Sequence, residues 1–198
     1  MKNLWIALFL VFTVFLGVEV SAWENYDSRI TAFIRAKKNI NEPLKLTATV
    51  VFPEMQQGLT NKTFLGLQIK YSNCFSFEPR IGWGFSNNQP IVALAFSPIY
   101  GNFWTFGVVN ITLPNQNGYW FFQAEYNFNF WNKMLSMGLE GEGWGNYGNQ
   151  EIRWSNGGGP TIDFRFKYFE LETSLQVRDY NREAGTEFQV RIYFHLGE

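Results

Sequence analysis

Strict alternation of apolar and polar side chains is the feature that most constrains how this chain folds. In the segment 119–130 every second residue is apolar, namely Trp120, Phe122, Ala124, Tyr126, Phe128 and Phe130. Most residues between them are polar, including Gln123, Glu125, Asn127 and Asn129. Successive side chains of a β-strand point to opposite sides, so a period of two indicates a strand with two different faces. The segment therefore predicts an amphipathic strand.

The same alternation returns along the chain, interrupted by turns that contain Gly, Asn, Pro and Ser. The pattern predicts an all-β protein with strands at 45–52, 63–71, 77–85, 91–97, 103–113, 119–130, 135–144, 161–167, 169–178 and 186–196. In a second arrangement, residues 161–178 form one bent strand and residues 29–37 form a new first strand. Both arrangements have about ten strands, with 8–12 as the working range.

The predicted connections fall into two classes of different length. The odd-numbered connections are 53–62, 86–90, 114–118, 145–160 and 179–185, and they include the three longest. The even-numbered ones are 72–76, 98–102, 131–134 and a tight reversal near residues 167–168. A membrane barrel has long external loops, short periplasmic turns and both termini on the periplasmic side. The pattern thus favours an antiparallel up-and-down transmembrane β-barrel.

Aromatic residues separate this prediction from a soluble barrel. They make up 19% of the 198 residues, with 21 Phe, 9 Tyr and 8 Trp. A soluble lipocalin-like carrier, the competing architecture, turns its apolar face inward around a ligand and has little room for so many rings. A lipid-facing surface can display them, with the largest number near the two membrane interfaces. The membrane barrel is therefore preferred.

The N-terminus has the composition of an export signal. Lys2 precedes a nearly unbroken apolar run over residues 4–18, and Val20-Ser21-Ala22 supplies modest or small side chains for cleavage. We predict a signal peptide at 1–22, an N-terminal extension at 23–44 and a barrel domain at 45–198. Periodicity leaves the extension open, because Ile30, Phe33 and Ile34 suit a short amphipathic helix while residues 30, 32, 34 and 36 also alternate as in a strand.

The charged residues of the predicted polar faces are the first candidate site. They are Glu125, Glu140, Glu142, Asp163, Arg165, Lys167, Glu170, Glu172, Arg178, Arg191 and His195. Similar numbers of acids and bases favour ion pairs that fill a narrow lumen. An acid pair or cation site at Glu125, Glu140 and Glu142 is the alternative.

Two registers of the last hairpin keep polar residues opposite polar ones. One pairs Glu170 with His195 and Glu172 with Tyr193, and a slide by two residues pairs Glu172 with Arg191. A hydrolase built from Ser174, His195 and Glu170 is conceivable. However, Ser174 and His195 lie several residues apart along the strands, so ion pairs are favoured over catalysis.

Glycine clusters at 141–148 and 155–160 predict strand kinks and a long external loop at 145–160. The aromatic and basic side chains in and beside that loop form the second candidate site, for a glycan or a surface partner: Trp144, Tyr147, Arg153 and Trp154. One His and one Cys argue against multi-histidine and cysteine-based metal sites, and we expect neither metal nor cofactor. A net charge of −1 provides no electrostatic reason to expect a nucleic-acid partner.

The whole pattern over residues 45–198 resembles a small outer-membrane β-barrel protein of a diderm bacterium. The strand Phe188-Gln-Val-Arg-Ile-Tyr-Phe-His-Leu196 resembles the C-terminal strand that the barrel-insertion machinery recognises, although the chain ends Leu-Gly-Glu in place of an aromatic residue. The resemblance implies outer-membrane lipid and the insertion machinery as partners, with the surface ligand unknown. It favours a structural or surface-interaction protein, ahead of a porin-like channel for ions or small solutes, an outer-membrane lipid hydrolase or acyltransferase, and a soluble carrier.

Overall fold

A computed structural model describes residues 26–52, 61–85, 88–114, 117–128, 134–146, 154–180 and 183–196. Within these ranges one closed barrel is formed by β1 (Tyr26–Asn41), β2 (Leu44–Phe52), β3 (Lys62–Ser72), β4 (Phe75–Gly84), β5 (Gln89–Tyr100), β6 (Phe103–Thr112), β7 (Asn117–Asn127), β8 (Leu135–Asn146), β9 (Trp154–Arg165), β10 (Phe169–Tyr180) and β11 (Glu183–Leu196). Consecutive strands pair antiparallel, and β1 closes the barrel against β11. The predicted all-β barrel is confirmed, with eleven strands in the described residues instead of ten.

The additional strand is β1, in the segment that periodicity left between helix and strand. β1 pairs antiparallel with β2 and parallel with β11, with Arg35 opposite Thr49 and His195. In this position β1 covers the hydrogen-bonding edges of both neighbouring strands, which a helix at the same place cannot do. The barrel therefore includes most of the segment predicted to be an extension.

The connections alternate between the two ends of the barrel as the sequence predicted, although the difference in length between the two rims is smaller than predicted. The short-turn rim has the connections 42–43, 73–74, 101–102, 128–134 and 166–168, and the long-loop rim has 53–61, 85–88, 113–116, 147–153 and 181–182. The predicted connections 145–160 and 179–185 were too long, because β8 continues to Asn146 and β9 begins at Trp154, while β10 continues to Tyr180 and β11 begins at Glu183. The expectation that both termini share one rim is wrong for the described chain. Tyr26 lies at the long-loop rim and Leu196 at the short-turn rim, since an odd number of strands reverses one end.

The barrel is apolar outside and largely charged inside. Leu65, Leu139 and Val177 point outward and are 58%, 66% and 63% exposed, whereas Glu142 and Arg178 point inward and are each 1% exposed. This is the reverse of the lipocalin arrangement. The described part of the chain contains no helix that is long and apolar enough to cross a membrane.

Exposed aromatic side chains mark the strand ends at the short-turn rim. Tyr71, Tyr100, Phe103, Tyr126 and Tyr168 all have exposed rings there, and the Phe103 and Tyr126 rings meet edge to face at 5.1 Å. Trp83 and Phe85 are exposed near the opposite rim. Rings at the two ends of an apolar outer surface are typical of the two interfaces of a membrane.

Gly138 and Gly141 of β8 offer a test of how closely the strands are packed. A Cβ at Gly138 lies 1.9 Å from the backbone oxygen of Ala124, whereas a Cβ at Gly141 lies 3.3 Å from the movable ring of Trp120. The backbone of β7 is held by its ladder, so we expect Gly138→Ala to lower the free energy of unfolding by about 3 kcal/mol. Gly141→Ala should cost less than about 1 kcal/mol. Urea unfolding of both variants in vesicles measures the difference, and equal losses contradict this packing.

Candidate functional site in the barrel lumen

The largest group of charged side chains in the lumen lies between β8, β10, β11 and β1. We call it the central cluster, and its members are Arg29, Glu140, Glu142, Glu172, Arg178, Glu187 and Arg191. Alternation places each of these residues on the inward face of its strand. The cluster brings together five of the predicted lumen residues and adds Arg29 and Glu187.

Arg191 of β11 connects three carboxylates. Its Nη1 lies 2.5 Å from Oε2 of Glu140 and also contacts Glu172, and its Nη2 lies 3.4 Å from Oε2 of Glu142. The guanidinium carbon lies 4.8 Å from the centroid of the Phe121 ring, so one of its faces is covered by an aromatic side chain. Glu172 is also the cross-strand partner of Arg191, which corresponds to the second of the two registers considered above.

Glu142 of β8 is the acceptor at which the cluster crosses the lumen. It forms ion pairs with Arg29 of β1, Arg178 of β10 and Arg191 of β11. The Tyr119 hydroxyl donates to Glu142 Oε2 at 3.0 Å, and Gln189 Nε2 donates to Oε1 at 2.8 Å. Tyr119 stands on β7, which is paired with β8. The other partners stand on β1, β10 and β11, none of which is paired with β8. The contacts therefore join β8 to strands that lie two, three and four places away around the wall.

Glu187 anchors the two arginines that approach Glu142. Nε of Arg178 lies 2.5 Å from Glu187 Oε2, and Nε of Arg29 lies 3.0 Å from Oε1 of the same carboxylate. Glu187, the partner of Arg178 in the first of the two hairpin registers, was left out of the predicted site residues because it lies at the start of the last predicted strand, beside the turn. Sequence reasoning missed Arg29 because the segment 23–44 had no assigned structure.

A second cluster lies nearer the short-turn rim, around Arg165 of β9. Arg165 Nε lies 2.6 Å from Asp163 Oδ2, and its Nη2 lies 2.7 Å from Glu125 Oε2. The Ser136 hydroxyl donates to the same Glu125 oxygen at 2.6 Å. Arg165 also stands 3.8 Å from Glu170 and stacks over Trp104 at 4.8 Å. The predicted residues Glu125, Asp163, Arg165 and Glu170 thus form one network.

A third cluster centres on Glu78 of β4. Its Oε1 accepts from Thr47 Oγ1 at 2.5 Å and from Arg80 Nε at 2.8 Å, and its Oε2 binds Arg35 of β1. Glu78 and Arg35 were missed, although Glu78 alternates with Phe77 and Pro79 in a predicted strand. Gly66 leaves room for this carboxylate, since a Cβ there lies 2.7 Å from Glu78 Oε1.

One sector of the lumen is apolar, which corrects the prediction of a wholly polar interior. Phe64, Ile91 and Ala93 form a buried cluster, and Val51 and Val108 pack against it. The Trp104 and Phe106 rings stack at 6.0 Å beside them. β5 is largely apolar on both faces, so the alternation that predicted a polar inner face fails there. Charged and apolar sectors together fill the inside.

Lys167 and His195 lie at the short-turn rim. Lys167 belongs to the turn after β9 and is exposed, so its assignment to the lumen is wrong. Its ammonium sits 4.9 Å from the Tyr168 ring centroid, and a hydrogen bond with Tyr168 raises the pKa of Lys167. His195 Nε2 lies 3.5 Å from Glu170 Oε2.

The Ser174 hydroxyl is committed to a lumen carboxylate. It donates to Glu140 at 2.6 Å, and Ser174 pairs with Gln189, six positions before His195 on β11. The structure therefore does not assemble a site from Ser174 and His195.

The external-loop site is only partly within the described residues. Trp144 lies inside β8, as the predicted strand 135–144 has it, but the Arg178 and Arg29 guanidinium carbons lie 4.5 Å and 5.5 Å from its ring, so it belongs to the lumen and not to an external-loop site. Trp154 is the first residue of β9 and pairs with Gly145 of β8, so its placement in the predicted loop 145–160 is wrong. Tyr147 and Arg153 lie outside the described residues.

A closed barrel with an apolar exterior, a charged and aromatic interior and exposed rings at its ends has the architecture of an integral outer-membrane β-barrel protein. No protein-family model and no curated protein matches the chain. Among solved structures, the crystal structure of Pseudomonas aeruginosa OccK5 (OpdH) is similar, with a TM-score of 0.48 and 10% sequence identity. The likeness covers 77% of this chain and 53% of that chain, so this chain spans about half the length of OccK5.

Proposed function

We propose that this protein is an integral protein of a bacterial outer membrane whose lumen is closed by its own side chains. The observation that carries the proposal is the set of ion pairs across the lumen, from Glu142 to Arg29 and Arg178 and from Glu78 to Arg35. Each of these side chains is buried or nearly so, and a narrow barrel of this size can be filled by side chains. Its role is then structural, or that of a scaffold for surface contacts.

In this proposal the short-turn rim faces the periplasm and the long-loop rim faces outward. The export-like composition of residues 1–22 supports passage across the inner membrane. The partners are outer-membrane lipid around the apolar exterior and the barrel-insertion machinery acting on β11 during biogenesis. Surface ligands bind to the connections of the long-loop rim.

A small channel for ions or solutes is the second candidate. The observation that favours it is the charge of one sector of the lumen, where Glu172 of the central cluster pairs across the strands with Asp163 of the Arg165 network. Buried charges are costly to retain where an apolar filling would serve equally well for closure. Rearrangement of these side chains is then the step that opens a path.

Cell fractionation followed by gel electrophoresis with and without heating tests the membrane assignment. We expect the protein in the outer-membrane fraction, with a compact band that shifts on boiling because a closed barrel resists detergent until heated. A single unshifted band in the soluble fraction contradicts the proposal.

Planar-bilayer recording separates the closed barrel from the channel. The wild-type protein, shown to be folded by its heat-dependent band, is expected to give no conductance steps. The double variant Glu142→Ser with Arg178→Ser removes side chains that cross the lumen as well as their opposite charges, and we expect it to give steps. Lys167→Ser, outside the lumen, is the matched control. Steps from the wild type at the same frequency as from the double variant favour the channel.

A further inference from the structure

β1 is the strand in which the barrel departs from a regular up-and-down arrangement. It pairs parallel with β11, whereas every other pair of neighbouring strands in the described chain is antiparallel. Because β2 runs opposite to β1, β2 and β11 run in opposite directions to each other. The ten strands β2 to β11 therefore have the order, the directions and the even number of an antiparallel membrane barrel without β1.

The faces of β2 and β11 are in step across the gap that β1 fills. Arg35 of β1 lies opposite Thr49 of β2 and His195 of β11, and all three stand on the inner face. Val50 and Phe194 flank the preceding residue of β1 on the outer face in the same way. If β2 and β11 approach along these rows, inner residues meet inner residues. Direct pairing therefore avoids the one-residue slip that would turn a strand inside out.

The lumen carboxylates that bind β1 also bind cations on other strands. Arg29 and Arg35 of β1 contact three carboxylates in the described chain. Each of these carboxylates has a second arginine partner outside β1: Glu142 binds Arg178, Glu187 binds Arg178 and Glu78 binds Arg80. The heaviest cost of breaking a buried ion pair is the charge that is left alone, and it is avoided at these three positions.

The residues of β1 suit two environments. In the barrel, residues 30, 32, 34 and 36 form an apolar outer face, while Ile30, Phe33 and Ile34 also share one face of a helix. The segment contains four cationic residues and one carboxylate. A cationic amphipathic helix lies well on an anionic membrane surface. The turn 42–43 ties β1 to β2 at the short-turn rim, so β1 outside the barrel stays at the membrane surface on that side.

We infer that β1 is an exchangeable strand and that the barrel has a second closed state. In this state β2 pairs directly with β11, and β1 lies as a helix on the membrane surface at the short-turn rim. Two ladders are lost and one is regained, so the ten-stranded state is the minor one. Exchange withdraws Arg29, Phe33 and Arg35 from the lumen, and with them the ion pairs from β1 on which the proposed closure depends. The inference rests on the proposed membrane location and adds a second state of the lumen to it.

Disulfide trapping in the full chain, folded into vesicles, tests the exchange. Exposed Cys74 is first replaced by serine, and Val50→Cys is then combined with Phe194→Cys. With β1 between them, the two positions are two strand spacings apart, about 9–10 Å, which is too far for a disulfide. A bond therefore forms only when β2 and β11 meet. Two further variants use Ile192→Cys or Val190→Cys in place of Phe194→Cys, to include registers that differ by two or four residues.

Tyr126→Cys with Ile162→Cys is the matched control, because β8 separates these outer residues by the same two spacings. Under mild oxidation, the intramolecular disulfide between β2 and β11 is expected to form at least tenfold faster than the control disulfide in at least one of the three variants. Arg29→Gln with Arg35→Gln weakens the attachment of β1 to the lumen. This change should raise the rate between β2 and β11 at least threefold and leave the control rate unchanged.

The disulfide rates decide whether the strand exchanges. Rates between β2 and β11 that are less than tenfold above the control rate in all three variants overturn the inference. An equal rise of both rates in the arginine variant also overturns it, because such a rise reflects general loosening of the barrel. A heat-dependent band shift before oxidation shows that each variant is folded in the membrane. Failure of the proposed function is seen in that band, whereas failure of the exchange is seen only in the disulfide rates.

Discussion

Replacing Arg191 with alanine is expected to lower the free energy of unfolding by about 3–5 kcal/mol, the range for breaking a buried ion pair from one side. The loss arises because Glu140, Glu142 and Glu172 then face one another without the guanidinium that they share. Urea unfolding of the protein refolded into vesicles measures the change. Lys167→Ala, at an exposed position, is the control and should change stability by less than about 0.5 kcal/mol.

A double-mutant cycle separates the pair of Glu172 and Arg191 from the rest of the central cluster. Glu172→Gln together with Arg191→Gln removes both charges, and we expect it to cost less than the sum of the two single changes by at least about 0.5 kcal/mol. Recovery should be incomplete, since Glu140 and Glu142 still lose their contact with Arg191. Strict additivity of the two changes contradicts the coupling between these residues.

The position of the membrane along the barrel gives the second large expected effect. Phe122 is the middle residue of β7 and points outward, with 43% of its side chain exposed. Phe122→Arg is expected to cost about 2–4 kcal/mol, because an arginine at the midplane of the lipid face cannot keep its hydration. The same change at Tyr126 should cost only about 0–1 kcal/mol, since β7 ends one residue later and the arginine reaches the interface.

Both variants are measured by urea unfolding in vesicles of one lipid composition. A fluorophore at position 122 should be quenched by lipid-borne quenchers near the bilayer centre, whereas a fluorophore at position 126 should be quenched by those near the headgroups. Equal stability losses at the two positions, or a label at 122 that is protected from lipid, contradict the placement of the bilayer across the strand centres.

The alternation of residues was sufficient to predict the barrel and which side chains of most strands point inward. Glu125, Glu140 and Glu172 have inner positions because parity along a strand is a local property that needs no partner. The predicted strands also implied that successive connections alternate between the two rims of the barrel. Strand ends were less accurate, and the position of Trp154 shows why: pairing between β8 and β9 continues through residues that have turn-like composition.

The alternation of apolar and polar residues could not predict which side chains form ion pairs across the lumen. Arg191 binds Glu140 on β8, and Arg35 binds Glu78 on β4, at separations of 51 and 43 residues. Parity states that each of these residues faces inward, but it contains no information on the height of the side chain in the barrel. That height depends on the register of every intervening strand pair.

The sequence by itself determined that this protein is a membrane-type barrel, since only a period of two carrying so many rings on one face satisfies both the backbone and the lipid. Tertiary structure decided how the barrel closes. The residues of β1 fit a helix or a strand locally, and the choice falls on the strand because the edges of β2 and β11 need a partner. The same closure brings Arg29 and Arg35 to Glu142 and Glu78, so the contents of the lumen depend on a pairing that no local pattern can specify.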